Sequence, residues 1–338
     1  MTSVPSALLP RPSRRPGPAL ALFFLAPLVG EFLLGNLPLT FLPALVVLAP
    51  LYGGGALLIR ETARRLRLNW SGMLVLCLTF GIIEEVFVTQ SLFNPNYLGL
   101  RLLDPGYIPA LGIGAWWTVF VLSLHTFWST AVPISLMETL TPSARRTPWL
   151  GPIGVIISAI VFLFGCAMLL RMELKKGFVA SPAQFGWSAA VVVALVAVAI
   201  VIGRRGGAAA AREAGTAPSW IAVLAAALVA GAVFFAMTRY RVELTASGVA
   251  VGTVALWAAL GGLVVGWSRS AGWSERHRLA LTAGFVLTYA WHGFVQKPSV
   301  GQAGRALDLF ADILFATAAV ILLVFAARRV RAEEQSGG

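Results

Sequence analysis

Apolar runs of about 20 residues recur along the chain from residue 18 to residue 327, divided by short stretches holding arginine, proline and glycine. Ten can be placed, at 18–36, 40–59, 70–90, 113–139, 149–170, 184–203, 219–238, 246–267, 278–296 and 307–327. An α-helix rising 1.5 Å per residue needs about 20 residues to cross a bilayer core of roughly 30 Å. Lipid offers no partner to a backbone N–H or C=O, so each crossing must satisfy its own hydrogen bonds, and these runs lack the alternation of a barrel strand. The pattern predicts an all-α, polytopic transmembrane helix bundle of about ten spans.

The runs differ in texture. A tail, 1–17, precedes a first half, 18–170, whose five spans are rich in Phe, Leu and Pro and hold the Glu-Glu pair and the first intramembrane His. A second half, 171–330, has five more spans; Ala, Val and Gly dominate 184–267, and His292 follows. Such small residues allow close helix contact and suit a scaffold. Gly206 to Pro218 reads as a flexible linker and 331–338 as a disordered tail. Arg11, Arg14 and Arg15 before the first run resemble the start of a signal peptide, but that run is long and contains Glu31, so a retained anchor is expected.

Charge refines the topology. The net charge of +12 would suggest a nucleic-acid partner in a soluble protein, but with 58% hydrophobic and 12% charged residues the arginines flank apolar runs. The expected partner is therefore the lipid bilayer, and no nucleic acid. With the N-terminus inside, 18 of the 26 Lys and Arg residues fall on the inner side. The positive-inside rule then predicts both termini in the cytoplasm, in a bacterial-type cytoplasmic (inner) membrane. Cys77 and Cys166 both lie within apolar runs and read as packing residues, with no disulfide or thiolate site implied.

Against that background the acidic and imidazole groups stand out. Glu84 and Glu85 sit in Gly81-Ile-Ile-Glu-Glu-Val-Phe-Val-Thr89, where each acidic residue costs on the order of 2.5–3.5 kcal/mol at mid-membrane. Glu31, His125, His292, Asp308 and Asp312 fall at a similar depth, in the outer half, and all seven could converge on one cavity. Ser129 lies one turn after His125, and Pro133 should kink that helix; Tyr289 and Gln296 share the face of His292. Two histidines and a carboxylate from separate helices make a ligand set for a catalytic zinc, here Glu85, His125 and His292. Glu84 would accept the proton of the metal-bound water. Each histidine taken alone reads more readily as a packed, hydrogen-bonded residue than as a ligand. His277 between two arginines reads as interfacial, Arg60 with Glu61 as an interfacial charge pair, and Glu138 as a partner of Arg145 or Arg146. The Ser91–Gly112 stretch reads as a surface loop or as a cover over the third span, with Trp116 and Trp117 as interfacial anchors.

The Glu-Glu pair, the following His and the later His-Gly-Phe-Val-Gln296 together resemble the CAAX-protease and bacteriocin-processing (CPBP, or abortive-infection) family of intramembrane proteases. That family is marked by Glu-Glu-xxx-Arg, Phe-xxx-His and His-xxx-Asn. Thr89 stands at the Arg position, Phe120 one position off, and Gln296 at the Asn position. The resemblance implies that Glu84 activates water, His125 and His292 hold the metal or water, and Gln296 stabilises the oxyanion. Gly30-Glu31, Leu58-Ile-Arg-Glu61, Ile83-Glu-Glu85 and Phe93-Asn-Pro-Asn96 also resemble a set of bacterial and archaeal multi-spanning proteins without an assigned activity. The expected function is a membrane-embedded hydrolase acting on a membrane-associated peptide or protein. Its alternatives are a proton- or ion-coupled transporter, or a non-catalytic membrane protein.

Overall fold

A computed structural model describes residues 15–205, 213–239, 245–301 and 303–336. Nine helices in it are long and apolar enough to cross a membrane. They are α1 (Pro16–Leu33), α2 (Leu39–Arg65), α3 (Trp70–Val88), α4 (Ala115–Leu140), α5 (Pro152–Leu174), α6 (Pro182–Arg205), α7 (Trp220–Arg239), α8 (Ala246–Arg269) and, after α9, α10 (Arg305–Ser336). The remaining predicted span is α9 (Glu275–His292). Its first turn carries Glu275, Arg276 and Arg278, which dilutes its hydropathy, yet it runs the length of the bundle between α7 and α10.

Contacts between connections sort the bundle into two ends. Arg15 N donates to Trp149 O, Asn69 N to Gly203 O, and Arg65 Nη2 to Leu150 O. Arg145 pairs with Glu275 at 2.7 Å and Glu333 at 2.5 Å, and His277 Nε2 bonds Pro218 O at 2.9 Å. All six predicted inner segments thus meet at one arginine-rich end. The opposite end gathers the α1–α2 turn, the α3–α4 loop with its hairpin β1 (Tyr107–Ile108) and β2 (Ile113–Gly114), and the α9–α10 connection.

Charged groups at the arginine-rich end depart from expectation. Glu138 receives Arg64, through Nε at 2.6 Å and through Nη2, and lies 3.1 Å from Arg60 Nε, rather than pairing with Arg145 or Arg146. Those two arginines lie past the end of α4, whereas Arg60 and Arg64 lie one turn apart on the face of α2 toward it. Arg60 and Glu61 do pair, at 2.9 Å, but fully buried, with the guanidinium 3.3 Å over the Trp149 ring. His277 does more than sit at an interface: with Ser274 it completes a capping box at the start of α9. The tail expected to be disordered continues α10 through Ser336, held by Arg145–Glu333 and Arg276–Glu334 pairs. Of the expected linker, 206–212 lies outside the described residues, as does the tail from 1 to 14. Glu213–Thr216 (β3) pairs with Ser270–Ala271 (β4).

Small residues let helices touch as the Ala/Gly pattern suggests. Ala227 and Gly231 of α7 meet Gly284 and Thr288 of α9, so that a Cβ on Gly284 would lie 2.4 Å from the Ala227 Cβ. Gly72 of α3 lies against Ala199 and Gly203 of α6 in the same way. One apolar core joins α1–α4 with Trp149 and Ala199. A second joins α1 and α4 to α7, α8 and α9 around Trp128.

Candidate metal centre

Proline and glycine interrupt the helices at a common level. Pro27 ends the regular part of α1, Pro50 and Gly53 fall within α2, and Pro133 follows the irregular part of α4. Near each interruption, and again in α3, the helix widens to i→i+5 hydrogen bonding: Leu28–Leu33, Ala49–Gly53, Ile83–Val88 and Leu124–Ala131. Such π-turns are rare and concentrate at functional sites. These four carry Glu31, Tyr52, the Glu84–Glu85 pair and His125, in that order.

Close approach brings the four segments together. A Cβ on Gly53 would lie 1.9 Å from the Phe23 carbonyl oxygen, so α2 touches the backbone of α1. A Cβ on Gly81 would lie 3.0 Å from the His125 Cβ, which places α3 directly on the histidine.

At the centre, His125 Nε2 lies 2.7 Å from Glu85 Oε1 and Nδ1 lies 3.1 Å from Glu84 Oε2. The second contact lacks the alignment of a hydrogen bond, and Glu84 Oε2 is buried without a hydrogen-bond partner. Glu85 is better served: Thr89 Oγ1 donates to its Oε2 at 2.9 Å, and Ser91 Oγ donates to the same oxygen. All three residues are buried, and each offers a ligand atom within 4.8 Å of the others, the arrangement that could hold a metal ion. Two carboxylates and an imidazole in a low-dielectric interior would be brought near neutrality by a divalent cation. Their oxygen and nitrogen donors suit zinc.

Around this trio stand residues that sequence reasoning missed. The Tyr52 ring stacks on His125 with centroids 5.8 Å apart, and its hydroxyl donates to Glu31 Oε1 at 2.6 Å. Its local signal is an aromatic hydroxyl in the Pro50-Leu-Tyr52-Gly-Gly-Gly55 break of an apolar run. Gln90, at φ +58, reverses the chain after α3 and so folds Ser91 back over Glu85. The α3–α4 loop therefore begins as a cover. Trp117 Nε1 donates to Ser91 Oγ at 3.0 Å, which ties α4 to the cover over Glu85, and Trp116 is buried against Phe120.

Other predicted site residues lie elsewhere. His292 stacks on Phe235 with centroids 3.7 Å apart, and its Nδ1 is buried without a partner. Gln296 turns its amide to the Lys297 carbonyl. Asp312 lies beside Gly35 and Gly293, and Asp308 a turn before it; neither belongs to the metal-capable group. The physical reason is an aromatic layer. Trp128 of α4 stacks on Tyr289 at 4.6 Å and packs against Phe234, Phe235 and Phe285, filling the space between α4 and α9. His125 faces Tyr52 and Phe80 on α2 and α3 instead.

Residues 20–333 match a family described as an uncharacterized membrane protein family, and the chain belongs to it. Nothing matches among curated proteins or among solved structures. The match supports a membrane protein of unassigned function and lends nothing to the CPBP protease resemblance.

Proposed function

We propose that the protein is a membrane-embedded, metal-dependent hydrolase whose ion is held by Glu84, Glu85 and His125. The observation that carries this reading is the convergence of those three buried side chains, from two π-helical segments, with one Glu84 oxygen left without a hydrogen bond. Zinc in such a site supplies Lewis acidity and a water of lowered pKa. Glu85, held by Thr89 and Ser91, is the positioned ligand, and Glu84 is the carboxylate with freedom to bind the ion or take a proton. This set replaces the two-histidine set expected from sequence. A membrane-associated peptide or protein is the proposed substrate class.

Metal analysis of the purified protein tests the centre. About one zinc per chain is expected in the unsubstituted protein and in His292→Ala, with loss in His125→Ala and Glu85→Gln. Equal, substoichiometric zinc in all four overturns the metal reading. Hydrolysis is tested separately with zinc-loaded protein and membrane-inserted peptides, where Glu84→Gln should abolish cleavage.

Proton- or ion-coupled transport is the second reading, favoured by the polar chain that runs from Tyr52 through Glu31 to Asn36. It requires an onward path to the arginine-rich end, where the layer beyond the centre is apolar. Proton or zinc flux across vesicles containing the protein, absent in Glu84→Gln, would favour it.

A further inference from the structure

Two directions lead away from the centre, and their chemistry differs. Toward the arginine-rich end the next layer is dry: Leu22, Ala26, Ala56, Met73, Cys77 and Ile134 are fully buried and belong to one cluster. Beyond them the Arg60, Glu61, Arg64 and Glu138 network closes the bundle. A cation passing that way would exchange its water for hydrocarbon, a step that costs several kcal/mol or more.

Toward the other end polar groups follow one another. Tyr52, stacked on His125, donates to Glu31 Oε1 at 2.6 Å. Asn36 Nδ2 donates to Glu31 Oε2 at 2.6 Å, and Ser299 Oγ donates to Asn36 Oδ1 at 2.5 Å. Ser299 is exposed, Asn36 and Glu31 are half-buried, and Glu84 and Glu85 are buried. Burial thus increases stepwise along the chain of contacts.

Asn36 and Ser299 belong to different connections, the α1–α2 turn and the α9–α10 segment. Ser299 N also donates to Asn36 O at 2.9 Å, so two hydrogen bonds latch the connections together above Glu31. Gly35, at φ +73, makes this possible: a Cβ there would lie 3.1 Å from the Gly293 carbonyl oxygen. Both hydrogen bonds lie near water, where each is worth only about 0.5–1.5 kcal/mol. Parting the latch is therefore inexpensive, and it uncovers Glu31.

We infer that divalent cations reach the Glu84–Glu85–His125 centre from this end, passing the Asn36–Ser299 latch, beside which Asp312 lies, and then meeting Glu31. The inference rests on the metal reading of the centre. Glu31 is suited to the task because one of its oxygens accepts from Tyr52, beside the centre, and the other from Asn36, in the latch, which orients the carboxylate between the two.

Two measurements on the full chain in lipid vesicles test it. The first uses no metal. Glu31→Cys, in a background with Cys77→Ala and Cys166→Ala, is exposed to a small, cationic, membrane-impermeant thiol reagent from either side. Labelling is expected only from the side that carries Asn36 and Ser299, and about tenfold faster when Ser299→Ala removes the side-chain half of the latch. Labelling solely from the arginine-rich side, or from neither side in the Ser299→Ala form, overturns the route. The second measures the rate of zinc uptake by the Asn36→Cys, Ser299→Cys double variant. Oxidation should slow uptake by about tenfold or more, with the zinc stoichiometry unchanged and the rate restored by reductant. An uptake rate indifferent to the cross-link overturns the route. No zinc uptake by the unsubstituted protein, with side-specific labelling intact, overturns the metal reading of the centre while supporting the path.

Discussion

Replacing Glu138 by alanine should strongly destabilise the arginine-rich end of the bundle. Glu138 is buried and receives Arg64 through Nε at 2.6 Å and through Nη2, while Arg60 Nε stands 3.1 Å away. Without it Arg60 keeps Glu61 at 2.9 Å and the carbonyls of Ala144 and Thr147 at 3.0 Å, whereas Arg64 keeps the Leu68 carbonyl at 3.5 Å and the face of Trp70 at 5.9 Å. The remaining carboxylate, Glu61, pairs with Arg60 and Arg65, so the Arg64 charge is left in the interior without a carboxylate partner. Breaking a buried pair from one side costs about 3–5 kcal/mol. At about 2 °C per kcal/mol, suited to a longer chain, Tm falls by about 6–10 °C. The assay follows heat-induced exposure of Cys77, which is buried, with a thiol-reactive fluorogenic dye in detergent. Adding Arg64→Met to Glu138→Ala should recover about 1–3 kcal/mol, because the orphaned charge goes with it. A shift below about 2 °C in Glu138→Ala would refute the reasoning on burial. No recovery in the double variant would assign the cost to lost packing instead of lost charge compensation.

Glu333→Gln breaks a pair with Arg145 in which the carboxylate is 40% exposed, so its cost should be at most about 1 kcal/mol by the same assay, in contrast to Glu138. Gly81→Val drives a branched side chain toward the His125 Cβ and Leu122; about 1–3 kcal/mol of destabilisation is expected, with loss of bound zinc in metal analysis. Tyr52→Phe leaves Glu31 Oε1 without its donor and should cost about 1–3 kcal/mol in thermal unfolding, while zinc stoichiometry persists because Tyr52 supplies no ligand atom.

Much of this fold is written in the chain in a form that needs no partner to read. Each span announces itself by length and hydropathy, and α9 announces itself too, since residues 279–290 remain mostly apolar after a charged first turn. The six arginine-bearing segments, four connections and the two chain ends, meet at one end as charge asymmetry suggests. Glu84, Glu85 and His125 are legible because ionisable groups in apolar runs demand partners. What the chain does not state is which way each helix is turned. His125 and Trp128 are three residues apart on α4, yet one meets Tyr52 and the other Tyr289. Depth alone therefore put His292 and His125 together, and the aromatic layer separates them. The π-turns were equally illegible, because they shift the register of every residue after them.

Those π-turns also bear on whether the buried trio is only structural. A buried ion pair is a poor stabiliser: its desolvation penalty commonly matches or exceeds its attraction, and well-packed hydrocarbon of similar volume serves as well or better. The Arg64–Glu138 pair overcomes this through bidentate geometry and a neighbouring arginine. Glu84 is compensated less well: its Oε2 lies 3.1 Å from His125 Nδ1 but is buried without a hydrogen bond. Four helices depart from regular α geometry at the same level, each where a polar side chain enters the interior. Pro27, Pro50 and Pro133 account structurally for the interruptions of α1, α2 and α4, whereas α3 departs from regular geometry at Glu84 and Glu85 without a proline. A metal ion held by Glu84, Glu85 and His125 would draw on the two irregular segments that carry them, in α3 and α4, with Glu31 and Tyr52 of the other two nearby. Its binding free energy would offset the carboxylate desolvation, and thermal stability should then rise with added zinc in the unsubstituted protein and not in His125→Ala. Equal melting of both forms with and without zinc would return the trio to the status of a costly structural knot.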